Sequence, residues 1–206
     1  MIYRLITFAF LIAESATVIA VTPPPVKPID QHPWQKPVER ETPTRGINMG
    51  PLRIQFEKTT LDEVRRAALV GEISQQGDAA ENIYWLCYTN VQLGLTERIW
   101  VISNGEVGGF EHSVTEINAQ LLPNGEATPD CPKLPPKLTP LSLDNNLWLN
   151  STEDDLVKKL GIASHQTKSW RSYYYHNQKL DSGNWLWVQT GDGRVTSLST
   201  GQETGF

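Results

Sequence analysis

The chain has 206 residues, a formal charge of −5 and two cysteines. A mildly acidic chain with no basic cluster is a poor nucleic-acid binder, which sets that class aside. The length suits one domain or two small ones, and seven tryptophans are a high count for it.

Residues 1–20, MIYRLITFAFLIAESATVIA, carry one basic residue, Arg4, then a mostly apolar run from Leu5 to Ala13. Val18-Ile19-Ala20 offers a cleavage site, so the segment reads as a secretory signal peptide. The run is shorter than the roughly 20 residues of a spanning helix, and Glu14 interrupts it; an uncleaved anchor is the alternative. No Cys lies near the cut, which speaks against a lipoprotein anchor. The expected location is periplasmic or secreted, with no spanning segment after cleavage. The leader holds one Arg and one Glu, so its removal leaves the charge at −5.

Residues 21–51 are rich in Pro and charge with few apolar residues and read as a tail, with Trp34 its one tryptophan. Residues 52–121 read as a first folded module. TTLDEVRRAAL opens it with capping-box spacing between Thr60 and Glu63, and Leu61, Val64 and Ala68 fall on one helical face. IYWLCY and RIWVIS then read as strands. Asn104-Gly105 predicts a two-residue turn between RIWVIS and a strand through Val107, with a bulge or bend at Gly108-Gly109.

Residues 122–146 form a second Pro-rich linker, and Cys131 sits inside it. In an oxidising compartment Cys87 and Cys131 are most simply a disulfide; a thiol nucleophile is the rival reading, and no local signature surrounds either Cys. Residues 147–206 read as a second module. STEDDLVKKLG repeats the helix opening, with Thr152 as cap, Asp155 three residues on and Gly161 as stop. WRSYYYH and NWLWVQT read as strands, and Asp192-Gly193 turns the chain into RVTSLS. Thr60 matches Thr152, Trp100 matches Trp187 and Gly105 matches Gly193, which points to an internal duplication. The expected fold class is therefore α+β, with two tandem modules joined by the Pro-rich linker. Each module is a short N-capped helix followed by a three-stranded antiparallel meander.

Alternation along the strands assigns faces. Ile99 and Val101 share one face, and Arg98, Trp100 and Ile102 the other. Leu186 and Val188 share one face, and Trp185, Trp187 and Gln189 the other. The aliphatic faces suit packing under a helix. The aromatic faces are either an internal core or a binding surface. Trp85 and Trp148 read as core. Arg98, Trp100, Trp185, Trp187 and Gln189, with Tyr173 and Tyr175 from the YYY run, are the candidate partner-binding residues, since Trp, Tyr and Arg dominate interface energetics.

TTLDEVRRAAL with RIWVISNGEV, and STEDDLVKKLG with WLWVQTGDGRV, resemble the repeated unit of the beta-lactamase inhibitory protein. The single unit resembles the BamE-type component of outer-membrane assembly. The resemblance implies an exported, non-enzymatic protein that binds protein partners through its sheet. It departs from the first in its disulfide pattern and from the second in lacking an N-terminal lipid-bearing Cys, so neither target nor assembly role carries over.

Chemistry is poorly supported. His112 and Glu116 have helical metal-ligand spacing in a segment that reads as strand or turn. Asp62, Glu63, Asp154 and Asp155 lie in the first turn of each helix, where negative charge complements the dipole. No catalytic residue, metal or cofactor is expected. The expected function is inhibitor-like or scaffolding protein binding; the alternatives are an envelope structural or outer-membrane assembly factor and, more weakly, a cell-wall hydrolase.

Overall fold

Among the described residues a capping box opens each of the two α-helices. Thr60 Oγ1 accepts from Glu63 N–H at 3.2 Å while Thr60 N–H donates to Glu63 Oε2, and α1 runs Leu61–Ala68. Thr152 and Asp155 make the same reciprocal pair ahead of α2, Glu153–Leu160, which Gly161 ends at a φ of 73°. Each box satisfies two amides that a helix start otherwise leaves bare. In the computed structural model, residues 21–25, 42–78, 82–92, 94–177, 179 and 181–205 are described. The leader and most of the tail, with Trp34, lie outside them.

Eleven strands accompany the helices among the described residues. They are β1 Gly46–Met49, β2 Leu52–Gln55, β3 Ser74–Gln76, β4 Ile83–Gln92, β5 Leu95–Asn104, β6 Glu116–Leu122, β7 Leu141–Leu143, β8 His165–Gln166, β9 Trp170–Asn177, β10 Ser182–Gly191 and β11 Arg194–Thr204. Eight of them form one sheet in the order β3-β4-β5-β6-β11-β10-β9-β8, and β2-β1-β7 form a second.

This corrects the expected architecture. The two segments are not separate helix-and-meander modules on a linker. β6 and β11 pair antiparallel from Gln120↔Ser197 to Glu116↔Gly201, so both halves belong to one sheet. The physical reason is the edge. A meander that ends in β6 or β11 leaves a row of unpaired N–H and C=O groups, and each row satisfies the other. The tail and linker assignments change as well. β1 comes from the expected tail and β7 from the expected linker, and they pair through Ile47↔Leu143.

The turns divide in a similar way. Asp192 (φ 51°) and Gly193 (φ 73°) close a tight β10–β11 hairpin, as expected. Asn104-Gly105 does not make a two-residue turn, and no strand runs through Val107. Gly108 N–H donates to Asn104 O at 2.6 Å, Glu106 N–H to Asn104 Oδ1, and Asn104 N–H to Thr115 Oγ1. These bonds wind residues 105–115 into a wide loop, with positive φ at Gly109 and His112 instead.

One face of the large sheet, the front, carries the main core. Leu86, Tyr88, Ile99, Val101, Ile117, Leu186, Val188 and Leu198 face it. Ile47, Met49 and Ile54 of the small sheet, Leu61 and Val64 of α1, and Leu156 of α2 pack onto it. A single continuous cluster spans both halves, which is why one domain results.

The former linker wraps the sheet. Cys131 is disulfide-bonded to Cys87 across a separation of 44 residues. Thr89 N–H donates to Pro132 O and Leu134 N–H to Thr89 O, so the strap pairs with the outer edge of β4. Leu134 and Leu138 then enter the main core. The Cys87→Ala/Cys131→Ala variant is expected to lose up to roughly 4 kcal/mol of stability, the chain-entropy value for a loop of this length. Urea unfolding checks it, with a red shift of tryptophan emission as Trp85 and Trp100 gain water. An unchanged midpoint would show that the strap holds without its cross-link.

Candidate functional site

The face opposite the main core can be read row by row from the pairing registers. One row runs Trp85, Ile102, Glu116, Gly201, Trp185, Tyr174. The next runs Cys87, Trp100, Asn118, Ser199, Trp187, Ser172. The third runs Thr89, Arg98, Gln120, Ser197, Gln189, Trp170. Directly paired residues in an antiparallel sheet point to the same side. Arg98, Trp100, Trp185, Trp187 and Gln189 thus share this back face. Tyr173 and Tyr175 do not; they project to the front.

The two ends of the face differ. Over β4 and β5, Trp85, Cys87, Trp100, Ile102 and Cys131 form a second buried cluster. Trp100 is 2 % exposed, and its Nε1–H donates to Thr22 O at 3.2 Å. Arg98 reaches the strap, where Nη2 donates to Glu126 O at 3.2 Å. Over β9 to β11, Trp185, Trp187, Gln189 and Ser197 are half-buried. The Trp185 ring lies across Gly201, where a Cβ would come within 2.5 Å of the ring's Cζ2 and of Thr115 O. Glycine at that position gives the indole its bed.

The middle of the face is polar and enclosed. Ser199 Oγ–H donates to Glu116 Oε1 at 3.1 Å. Asn118 is 3 % exposed, and its Oδ1 has no hydrogen-bond partner among the described residues. The indole Nε1 of Trp187, in the same row, is likewise buried and unpartnered. Two strand spacings separate them, about 10 Å. Buried polar atoms are nearly always paired, so an open donor and an open acceptor in one row are unusual. Asn118 and Ser199 are not among the residues singled out from the sequence. The alternation of Glu116, Asn118 and Gln120 with Ile117, Ala119 and Leu121 was the signal for that strand.

Of the sequence candidates, the structure brings Trp185, Trp187 and Gln189 together on accessible sheet. It encloses Trp100 and places Tyr173 at 4 % exposure in the main core. Tyr175 lies on the front face in a pocket with Arg45, Lys58, Asn177, Asn184 and Gln202.

Asp62 accepts from Arg65 Nη2 at 2.6 Å and Asp155 from Thr152 N–H at 3.3 Å. Asp154 is exposed. Glu153 is held below the ordinary glutamate range mainly by its hydrogen bond from Arg171 Nη2 at 2.5 Å. His112 stacks on Tyr84 with ring centroids 3.9 Å apart, away from a metal-type arrangement with Glu116. Among the described residues no group of three or more His, Cys, Asp or Glu is placed to hold a metal ion. Glu116 lines a pocket to which Asp78 also contributes.

No family model matches the chain, and no curated protein matches it. Among solved structures it is similar to a DUF4309 family protein (YjgB) from Bacillus subtilis. The identity is 14 %, over 73 % of this chain and 82 % of that one, with a TM-score of 0.37. A likeness of that size assigns neither fold nor function.

One buried acid on the front face has a measurable consequence. Glu97 is 7 % exposed, and its Oε2 accepts from Asn90 Nδ2 at 2.9 Å and Trp148 Nε1 at 3.4 Å. Burial pushes its carboxyl up, against the two hydrogen bonds. A carboxyl whose folded pKa is raised favours folding while protonated. That contribution is full below the unfolded value and is lost as pH rises through the folded one. Glu97→Gln keeps an oxygen for both donors and cannot ionise. It is expected to exceed the wild type in stability at pH 7 and to lose that margin toward pH 4. Urea unfolding at both pH values decides it, and a variant no more stable at pH 7 contradicts the assignment.

Proposed function

We propose that the protein acts outside the cytoplasm as a non-enzymatic binding protein, with the β9–β11 half of the back face as its docking surface. The observation that carries this reading is the row Asn118–Ser199–Trp187. It starts at the buried amide oxygen of Asn118 on β6 and ends on this half at the Trp187 indole, whose buried N–H also lacks a partner among the described residues and whose ring is half-buried. A partner laid over this half covers Trp185 and Trp187 and offers an acceptor to the Trp187 N–H. Flat indoles supply large contact area at low entropic cost, and the polar row fixes register. Export is supported by the leader and by a disulfide inside a buried cluster, which suits an oxidising compartment. Occlusion of an enzyme and scaffolding in the envelope use the same surface and differ in the partner.

The test begins with partners captured on the mature chain from periplasm and identified by mass spectrometry. Trp187→Ala is expected to weaken the captured complex about 30-fold, the ~2 kcal/mol of a typical interface hot spot, while the protein stays folded by near-UV circular dichroism. Trp187→Phe keeps a ring and removes the N–H. Its expected loss is about five-fold, one neutral hydrogen bond. Undiminished binding by folded Trp187→Ala protein sinks the surface reading. Collapse of the Trp187→Phe fold would return this indole to the core.

A further inference from the structure

Val21–Pro25 lies on the β4–β6 half of the back face, next to the buried tryptophans. Thr22 N–H donates to Asp130 Oδ2 at 2.5 Å, and Thr22 O accepts from Trp100 Nε1 at 3.2 Å. Pro23, Pro24 and Pro25 continue beside Ile83, Ile102 and Asn118. The seat thus has two walls. The sheet supplies an indole and aliphatic floor, and the strap supplies a carboxylate. The strap wall is rigid, because Thr128 and Cys131 exchange both backbone hydrogen bonds around Asp130 and Cys131 is cross-linked to β4.

The seat suits this occupant. Proline has no N–H, so a run of three asks for no donors' partners on the sheet. A polyproline stretch is already extended, so docking costs little order, and aromatic-lined grooves are its usual receptors. Three carboxylates surround the segment: Asp130 from the strap, Glu116 from β6 and Asp78 after β3. Among the described residues, Arg98 stands on the same face one row beyond Trp100 and is turned to Glu126 O. Burial works most strongly against charge on Asp130, yet hydrogen bonds from Thr22, Thr128 and its own backbone together hold the carboxyl below its ordinary range.

We propose that Val21 is the first residue of the mature protein and that this groove is a capture site for a free α-ammonium followed by a polyproline stretch, filled by the chain's own Val21–Pro25. The inference rests on the export reading above and adds a consequence of processing. Hydrolysis of the Ala20–Val21 bond by a leader peptidase places the water hydroxyl on the Ala20 carbonyl and a proton on the Val21 nitrogen. That nitrogen takes a further proton and becomes cationic. It lies one residue from Thr22 N, hence within about 6 Å of Asp130 Oδ2. In the uncut chain the same atom is a neutral amide. Val21 is 49 % exposed, so the segment is seated with its leading end open to solvent. Cleavage therefore creates the ion pair that clamps the segment over Trp100 and completes the second cluster.

Processing and capture are tested separately. The exported chain's first residue is read by mass spectrometry; Val21 is expected, and any other start overturns the proposal. For capture, the chain is released with Val21 at its start by a site-specific protease, and its α-amine is ¹³C-dimethylated, which preserves the charge. The amine is expected to titrate above the ordinary range of about 7.7–8.0, and about one unit lower in Asp130→Asn. Indole N–H exchange at Trp100 is expected to be about ten-fold slower in the free-amine chain than in the α-acetylated chain of identical sequence. Equal titration in wild type and variant, or equal exchange in the two chains, overturns capture. The acetylated chain keeps the test decisive if Asp130→Asn does not fold. Neither arm uses a binding partner, so failure here is distinct from failure of the docking surface.

Discussion

The β6–β11 ladder is the constraint on which everything else depends. Five paired positions turn two meanders into a single sheet with two continuous faces. The front face is then too large for two eight-residue helices to cover. The small sheet β2-β1-β7 fills the gap, built from segments whose composition suggests tail and linker. Glu57 fastens this cover to the ladder's far strand, accepting from Thr204 N–H at 2.8 Å and Gln202 Nε2 at 3.0 Å.

The back face shows the opposite economy. Its β4–β5 end is sealed by a cross-linked strap and a polyproline segment, both poor in backbone donors. Its β9–β11 end keeps half-buried indoles. The difference follows from chain connectivity. The strap must travel from the end of β6 to β7 on the other side, and its route passes the β4 edge at Thr89. No comparable described connection crosses β10. One uniform surface is thereby divided into a core and a contact area without any change in strand pattern.

Local physics was legible in the sequence, and non-local pairing was not. Pleat alternation is a two-residue property, so RIWVIS and NWLWVQT placed Trp100 with Arg98 and Trp187 with Gln189 on the correct sides. Capping boxes at Thr60 and Thr152 are three-residue properties and were equally readable. The Cys87–Cys131 pair followed from compartment and count. The joining of β6 to β11 depends on two edges 77 residues apart in the Gln120↔Ser197 pair, which no local window contains. β1 and β7 are four and three residues long, too short to show a period. Alternation names the side on which Trp100 points but not what lies over it, so a residue read as a surface candidate is enclosed. The YYY run puts aromatics on both faces, and only the pairing of Tyr174 with Trp185 tells which tyrosine belongs to the back.

The position of the cross-link along the chain sets an order of assembly. In a polypeptide delivered N-terminus first, Cys87 and Cys131 both arrive before α2 and the strands that follow it. The oxidative lock can close on β4, β5 and the strap while β11 is still to come. During that interval β6 is a bare edge, the kind of template that invites pairing with another molecule. Glu116, Asn118 and Gln120 along one side of that edge make it a poor apolar template. The polar row at the centre of the mature face then has an earlier employment, as a guard on the half-built sheet.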